Sequence, residues 1–245
     1  MAEVAAGSGD DDKYAIHAAS REGRLAAVES LLAGNAKLRQ QRDADDRLPV
    51  HWASAYNHLA IVKVLADARS FDADTTDGSG WTSLMMAASL KEDAGLETVG
   101  FLLAKEADPK LATTTGATAL HFAASKGNVE VCRTLLKHGA SARAKDRRAQ
   151  LALHRAAAAG SVPIVRLLLD EGKSPINGSD TDGLTALHHA VSEGHGDVAV
   201  ELLKRGAESD RKEVDGRTAL ECAPDGKVRA YIIKAAEREG IDLES

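Results

Sequence analysis

The sequence predicts an all-α solenoid, a row of short helix–turn–helix units, and three observations carry that reading. A short motif recurs along the 245 residues: YAIHAAS at Tyr14, LPVHWAS at Leu48, TSLMMAAS at Thr82, TALHFAAS at Thr118, LALHRAAA at Leu151, TALHHAVS at Thr185 and TALECAP at Thr218. The anchor residues His17, His51, Met85, His121, His154, His188 and Glu221 are separated by 34, 34, 36, 33, 34 and 33 positions. Each copy opens two segments with apolar residues at helical spacing, and a polar link rich in Gly, Asn and Asp closes the unit.

Taken in order, the first segment of each unit is alanine-rich and stops at a glycine or its equivalent: Gly23, Asn57, Gly127, Gly160 and Gly194. The second ends in a leucine pair, as in VESLLA, CRTLLK and VRLLLD. Both are too short to persist alone in water, so the helices must stack on neighbouring units. The links, such as KHGASARAKD and KRGAESDRKE, read as turns or short hairpins. Repeat three departs from the others: SLKEDAGLETVGFLL holds three more residues between its helices than SKGNVEVCRTLL. That insertion lengthens a surface turn, with a contact role as the alternative. The expected organisation is an acidic, disordered tail at 1–12, seven repeats over 13–241, and a C-terminal tail at 242–245. A stack also needs polar ends. The unit beginning at Lys13 and the last one, with Lys234, Glu237, Arg238 and Glu239 on its final helix, suit the two caps.

Composition narrows the function classes. Hydrophobic residues make up 44% of the chain, enough for a folded core, but aromatics only 3%. A core of Ala, Leu and Val favours thin, closely packed helices. The net charge of −6 argues against nucleic acid and anionic membranes as partners. Cys132 and Cys222 lie in different repeats without CxxC spacing and read as buried free thiols of an intracellular protein. No apolar run approaches a membrane span, and the first residues do not form a signal peptide.

The recurring histidine could be a metal ligand, a catalytic base or a structural hydrogen-bonder. Repetition decides for the last. Equivalent positions in a stack lie about 10 Å apart, too far to share a metal with bonds of roughly 2 Å. Met85 and Glu221 also replace the histidine in two units. The stretch HHAVSEGH, from His188 to His195, gathers three imidazoles and Glu193 but is not HExxH. No phosphate-binding glycine motif and no nucleophile elbow occurs, so no residues are available to carry catalysis, and no metal or cofactor is expected.

A 33-residue period with a T-P-L-H-x-A motif characterises the ankyrin repeat, and TALHFA and TALHHA depart from it only at the proline. The chain therefore resembles ankyrin-repeat proteins over almost its whole length. Stacked ankyrin units curve and present a concave face of hairpin tips and first helices, where such folds bind proteins. Positions on that face include Asp45, Arg47 and Tyr56 in repeat two, Trp81 and Leu90 in repeat three, and Lys126 in repeat four. Arg147 and Arg148 follow in repeat five, with Asp182 and Glu193 in repeat six. The charges form a mosaic, acidic at Asp10–Asp12 and Asp45, basic at Lys126, Arg147 and Arg148, acidic again at Asp182 and Glu193. Tyr56, Trp81 and Leu90 place large apolar side chains on this otherwise water-facing track, as an interface hot spot does.

Particular words within the repeats discriminate further. DADDRLPVHWAS, DGSGWTSL, LALHRAAAAGSVPIV, GKSPIN and VSEGHGDVAV, together with seven repeats and the tryptophans Trp52 and Trp81, resemble the gankyrin family, its fungal members above all. That family assembles the regulatory particle of the 26S proteasome. The resemblance implies a non-catalytic, monomeric chaperone of the cytoplasm and nucleus, gripping the C-terminal domain of one proteasomal AAA-ATPase subunit and hindering premature docking on the core particle. Family contact positions match at Asp45, Arg47, Lys126 and Glu193. A generic ankyrin scaffold or substrate adaptor is the alternative. One departure limits the analogy: gankyrin's LxCxE stretch, tied to the retinoblastoma protein, is matched here only at Glu193 of HAVSE, and that activity is not expected.

Overall fold

Seven helical pairs form from the seven sequence units, each pair short because its apolar stripe is short. The computed structural model of the chain describes residues 13–243, so the tail expected at 1–12, with Asp10–Asp12, and residues 244 and 245 lie outside it. The helices are α1 (Ala15–Arg21), α2 (Leu25–Gly34), α3 (Pro49–Ala55), α4 (Leu59–Leu65), α5 (Ser83–Ala88), α6 (Leu96–Ala104) and α7 (Ala119–Lys126). They continue with α8 (Val129–Lys137), α9 (Ala152–Ala158), α10 (Val162–Asp170), α11 (Ala186–Ser192), α12 (Gly196–Lys204) and α13 (Gly226–Arg238). Two 3-10 helices, Ala36–Gln40 and Ala219–Cys222, complete the set. Among the described residues no β-strand forms. Each of four hairpin links closes on a single antiparallel bridge, as between Thr76 and Thr82 or Ser179 and Thr185.

The chain divides into two compact units. The first runs to Leu90 and resumes over Ala94–Asp108; the second takes Lys91–Asp93 and everything from Pro109 onward. In the first, α1, α3 and α5 pack in sequence and α2, α4 and α6 lie behind them, around Ile16, Val28, Ile61, Leu65, Leu84, Val99 and Leu102. In the second, α7, α9 and α11 pack in sequence over α8, α10 and α12, burying Leu120, Leu135, Leu153, Ile164, Leu168, Leu187 and Leu202. Alanines make this close approach possible: Ala53, Ala87, Ala123, Ala156 and Ala190, at one equivalent position in repeats two to six, are completely buried. Each of the large side chains is worth about 1.5–3 kcal/mol of burial, so the core is supplied by many moderate contributions and few rings.

Between the paired helices the backbone must reverse in about two residues, and the residues read as punctuation take left-handed conformations: Gly23, Asn57, Gly127, Gly160 and Gly194, with φ from 60° to 79°. At Gly160 the requirement is doubled, because a Cβ there would sit 2.6 Å from the His195 ring.

Repeat three differs as its sequence foretold, and the structure settles what the extra residues touch. Residues 89–95 form an extended turn whose Asp93 carboxylate accepts the Glu130 and Val131 amides at 3.3 and 3.0 Å. Those amides open α8 and have no partner within their own helix. The Asp93 amide in turn donates to Asn128 Oδ1 at 3.0 Å. The insertion is therefore a lengthened turn that also supplies a helix cap from a distance.

The last repeat departs too. Its first segment is the 3-10 helix Ala219–Cys222, because Pro224 forces Ala223 into an extended conformation (φ −61°, ψ 135°) and stops further winding. Cys132 is buried, and burial pushes its thiol up to about 12. Cys222 is only partly buried, contrary to the reading of both thiols as core groups, since the truncated 3-10 turn leaves it near the end of the stack.

Candidate protein-binding face

Each hairpin link begins with a side-chain acceptor that the sequence reading did not single out. Asp43 Oδ1 accepts the Asp45 and Arg47 amides, each at 2.9 Å, and Asp77 Oδ1 accepts those of Ser79 and Trp81, each at 2.9 Å. In the second unit Asp146 does the same for Arg148 and Gln150, Asp180 for Asp182 and Leu184, and Glu213 for Asp215 and Arg217. The acid two and four residues upstream of the donors closes the turn by a mechanism typical of Asx motifs. Their positions follow the repeat period, a signal available in the sequence.

The remaining oxygen of each aspartate takes a side-chain donor. Trp52 Nε1 donates to Asp43 at 2.6 Å, Arg47 Nε to Asp77 at 3.0 Å, and Arg155 to Asp146 at 2.8 Å. Asp180, whose side chain is fully buried, accepts both Gln150 Nε2 and His189 Nε2 at 3.1 Å. Trp52, Arg155 and His189 occupy one equivalent slot, directly after the anchor histidine, nine residues beyond their acid. Burial works to raise the pKa of Asp43, Asp146 and Asp180, but these donors and the turn amides more than offset it and hold the carboxyls below their ordinary range. The tips are thus fixed charges on a closed scaffold.

The anchor histidines are bridges between repeats. His51 Nδ1 accepts the Leu48 amide at 2.9 Å, while its Nε2–H donates to the Thr75 carbonyl at 3.0 Å. His121 repeats this with the Thr118 amide and the Gln150 carbonyl, and His154 with the Leu151 amide and the Gly178 carbonyl. Those partners require the neutral ring. Burial, the largest influence on each, lowers the pKa of His51, His121 and His188, and that of His154 to about 4. His188, His189 and His195 donate to three separate acceptors: the Arg217 carbonyl, Asp180 and the Ala158 carbonyl. Among the described residues no group of three His, Cys, Asp or Glu side chains could hold a metal.

The residues expected to bind a partner divide into open and occupied groups. In the first unit Asp45 is exposed, and its carbonyl accepts the Gly78 amide at 3.0 Å, which joins the tips of repeats two and three. Arg47 is not free. Besides its pair with Asp77, whose side chain is 2% exposed, its guanidinium lies 5.0 Å from the centre of the Trp52 ring. Trp52 is the pivot the sequence reading left out: Arg21 and Arg47 lie against it, and Tyr56, 52% exposed, sits 6.2 Å away. Trp81 and Leu90 are partly buried. The turn that holds Trp81 folds back on Asp77, and Leu90 begins the insertion.

In the second unit the tips are joined by the Arg147 amide to the Thr115 carbonyl at 2.9 Å, Thr181 to Arg148 at 2.9 Å and Val214 to Asp182 at 3.0 Å. Lys126 ends α7 and is exposed; Arg147 and Glu193 are exposed as well. None of the three forms an ion pair with a described residue. Arg148 and Asp182 pair with each other at 2.9 Å, both half-exposed, so part of their charge is already matched.

Profiles described as ankyrin repeats (3 copies) match residues 16–110 and 84–177, and one described as ankyrin repeats (many copies) matches 153–203. The chain is 37% identical over 226 residues to "Probable 26S proteasome regulatory subunit p28" of Saccharomyces cerevisiae, covering 90% of this chain and 97% of that protein. An ankyrin repeat-containing protein of Schizosaccharomyces pombe is 33% identical over 82% of this chain and 86% of its own length. Among solved structures, the human ASB11 ankyrin repeat domain superposes with a TM-score of 0.79 at 24% identity, over 90% of this chain and 96% of that one, a likeness of fold. With the period, the paired helices, the closed turns and an end-to-end relative all in agreement, the chain belongs to the ankyrin-repeat proteins and, within them, to the gankyrin family.

Proposed function

We propose that this protein is a non-catalytic chaperone for assembly of the regulatory-particle base of the 26S proteasome. It binds the C-terminal domain of one AAA-ATPase subunit through its hairpin tips and first helices and hinders premature docking on the core particle. The observation that carries the reading is similarity over 97% of the length of a relative named as a probable 26S proteasome regulatory subunit. The open charges support it: Asp45 and Arg147 on hairpin turns closed by Asp43 and Asp146, Lys126 at the end of α7 and Glu193 directly after α11. Preorganised charges without internal partners favour selection of a partner and fast, salt-sensitive association.

Isothermal titration of the chain against the separate C-terminal domains of the six proteasomal ATPases tests the reading. One tight, one-to-one partner is the expected result. Six flat titrations with folded protein would discard it in favour of a general ankyrin scaffold.

A further inference from the structure

A cavity of about 710 Å³ lies in the first unit, lined by residues between Ala36 and Thr75. It opens between two consecutive linkers, residues 33–42 and 66–76. The first winds into the 3-10 helix Ala36–Gln40. Gln40 Nε2 reaches the Ser70 carbonyl at 3.4 Å and ties the two linkers together.

The lining combines two chemistries. Leu48, Val50, Leu65 and Phe71 contribute apolar surface, while Lys37, Arg39 and Arg42 contribute three cations against the single acid Asp72. That local surplus stands out in a chain of net charge −6. Arg42 is partly matched by Asp46, at 2.9 Å. Lys37 and Arg39 pair with no described acid, and Arg39 Nε is buried without a hydrogen-bond partner among the described residues. A buried guanidinium N–H left unmatched is costly and rare in folded proteins, so a partner supplying a carboxylate would complete it.

We propose that this cavity is a second docking site, distinct from the proposed ATPase-binding face, for an acidic peptide segment of a partner protein. Its carboxylates meet Lys37 and Arg39, and an aliphatic or aromatic side chain enters between Leu48, Leu65 and Phe71. The volume is within the range of pockets that enclose small ligands, enough for one large side chain and its neighbours. A free phosphate would leave the apolar part of the lining unused.

Selection of a random heptapeptide phage library on the full chain, followed by fluorescence-anisotropy titration of the enriched peptide, tests the proposal. The expected peptides carry at least two acidic residues beside a Leu, Ile or aromatic residue. Binding weakens about tenfold or more in Lys37→Glu and in Arg39→Glu, and survives in Lys126→Glu, so this site and the ATPase-binding face fail separately. Lys37 is exposed, which keeps its variant informative where Arg39→Glu disturbs the fold. Absence of enrichment, peptides without acids, full displacement by inorganic phosphate, or binding lost in Lys126→Glu but kept in Lys37→Glu would each overturn it.

Discussion

At the residue scale, the same few atoms answer for stability and for the placement of charge. Asp180 accepts two amides and two side chains from a site without solvent exposure. Asp180→Ala strands four donors, and we expect a loss of about 2–4 kcal/mol in urea unfolding. Asp182→Ala, two residues on and half-exposed, should stay within about 0.5 kcal/mol. The histidines add a pH dependence. His154 titrates near 4 when folded against 6.5 when free, so the unfolded chain takes up the proton first as pH falls. Its contribution is complete above pH 6.5 and lost progressively toward pH 4, roughly 2 kcal/mol between about pH 7 and pH 5. Thermal melts across that window should fall steeply for the native chain and less steeply for His154→Gln. An equal slope in both would remove His154 from the account. The histidine positions were legible from their period alone, because each bond spans one repeat. The acids at Asp43, Asp77, Asp146, Asp180 and Glu213 obey the same period but were passed over, since Asp and Gly in a link read first as solvated turn residues. The pairing of Arg47 was illegible for a related reason: its partner Asp77 lies thirty residues away, and nothing in a single sequence reports which cation is already matched.

At the scale of elements, the extra residues of repeat three act as a cap and a spacer. Gly95 leads into α6 with an ordinary φ of −82°, yet a Cβ there would lie 2.0 Å from the Ala87 carbonyl oxygen. Gly95→Ala should therefore destabilise by more than about 2 kcal/mol through backbone displacement. Gly127→Ala, in open space at φ 76°, should cost only about 1 kcal/mol. Chemical denaturation of both variants checks the order, and the reverse order would show that the turn at 89–95 is misplaced. Asp93→Ala should leave the fold intact but speed hydrogen exchange at the Glu130 and Val131 amides, the two it caps. The length of this insertion could be counted in the sequence. Its contact could not, because the capped helix begins more than thirty residues downstream and no other repeat offers a precedent. The 3-10 turn at Ala219–Cys222 was foreshadowed by Pro224, whose effect on the preceding residue is local.

At the scale of the whole molecule, charge is distributed unequally between the outer helices and the tips. In the second unit the outer helices match their charges internally: Arg133 with Glu171, Arg205 with Asp170, and Arg166 and Arg205 with the buried carboxylate of Glu201. Lys126, Arg147 and Glu193, by contrast, are left unmatched by the described residues. An association that uses such charges should weaken steadily with added salt. The repeat architecture and the family were readable from period and wording. The division of charges into matched and unmatched became visible only with side chains in place, and the central claim is that the unmatched charges of the hairpin turns and of the first-helix ends form the binding face. Titration calorimetry against the ATPase C-terminal domain that binds the native chain tests this most directly, with Lys126→Glu/Arg147→Glu compared with Arg133→Glu on an outer helix. The account predicts at least about a hundredfold loss for the first variant and unchanged affinity for the second. Unchanged affinity in Lys126→Glu/Arg147→Glu, with its helical spectrum intact, would contradict it.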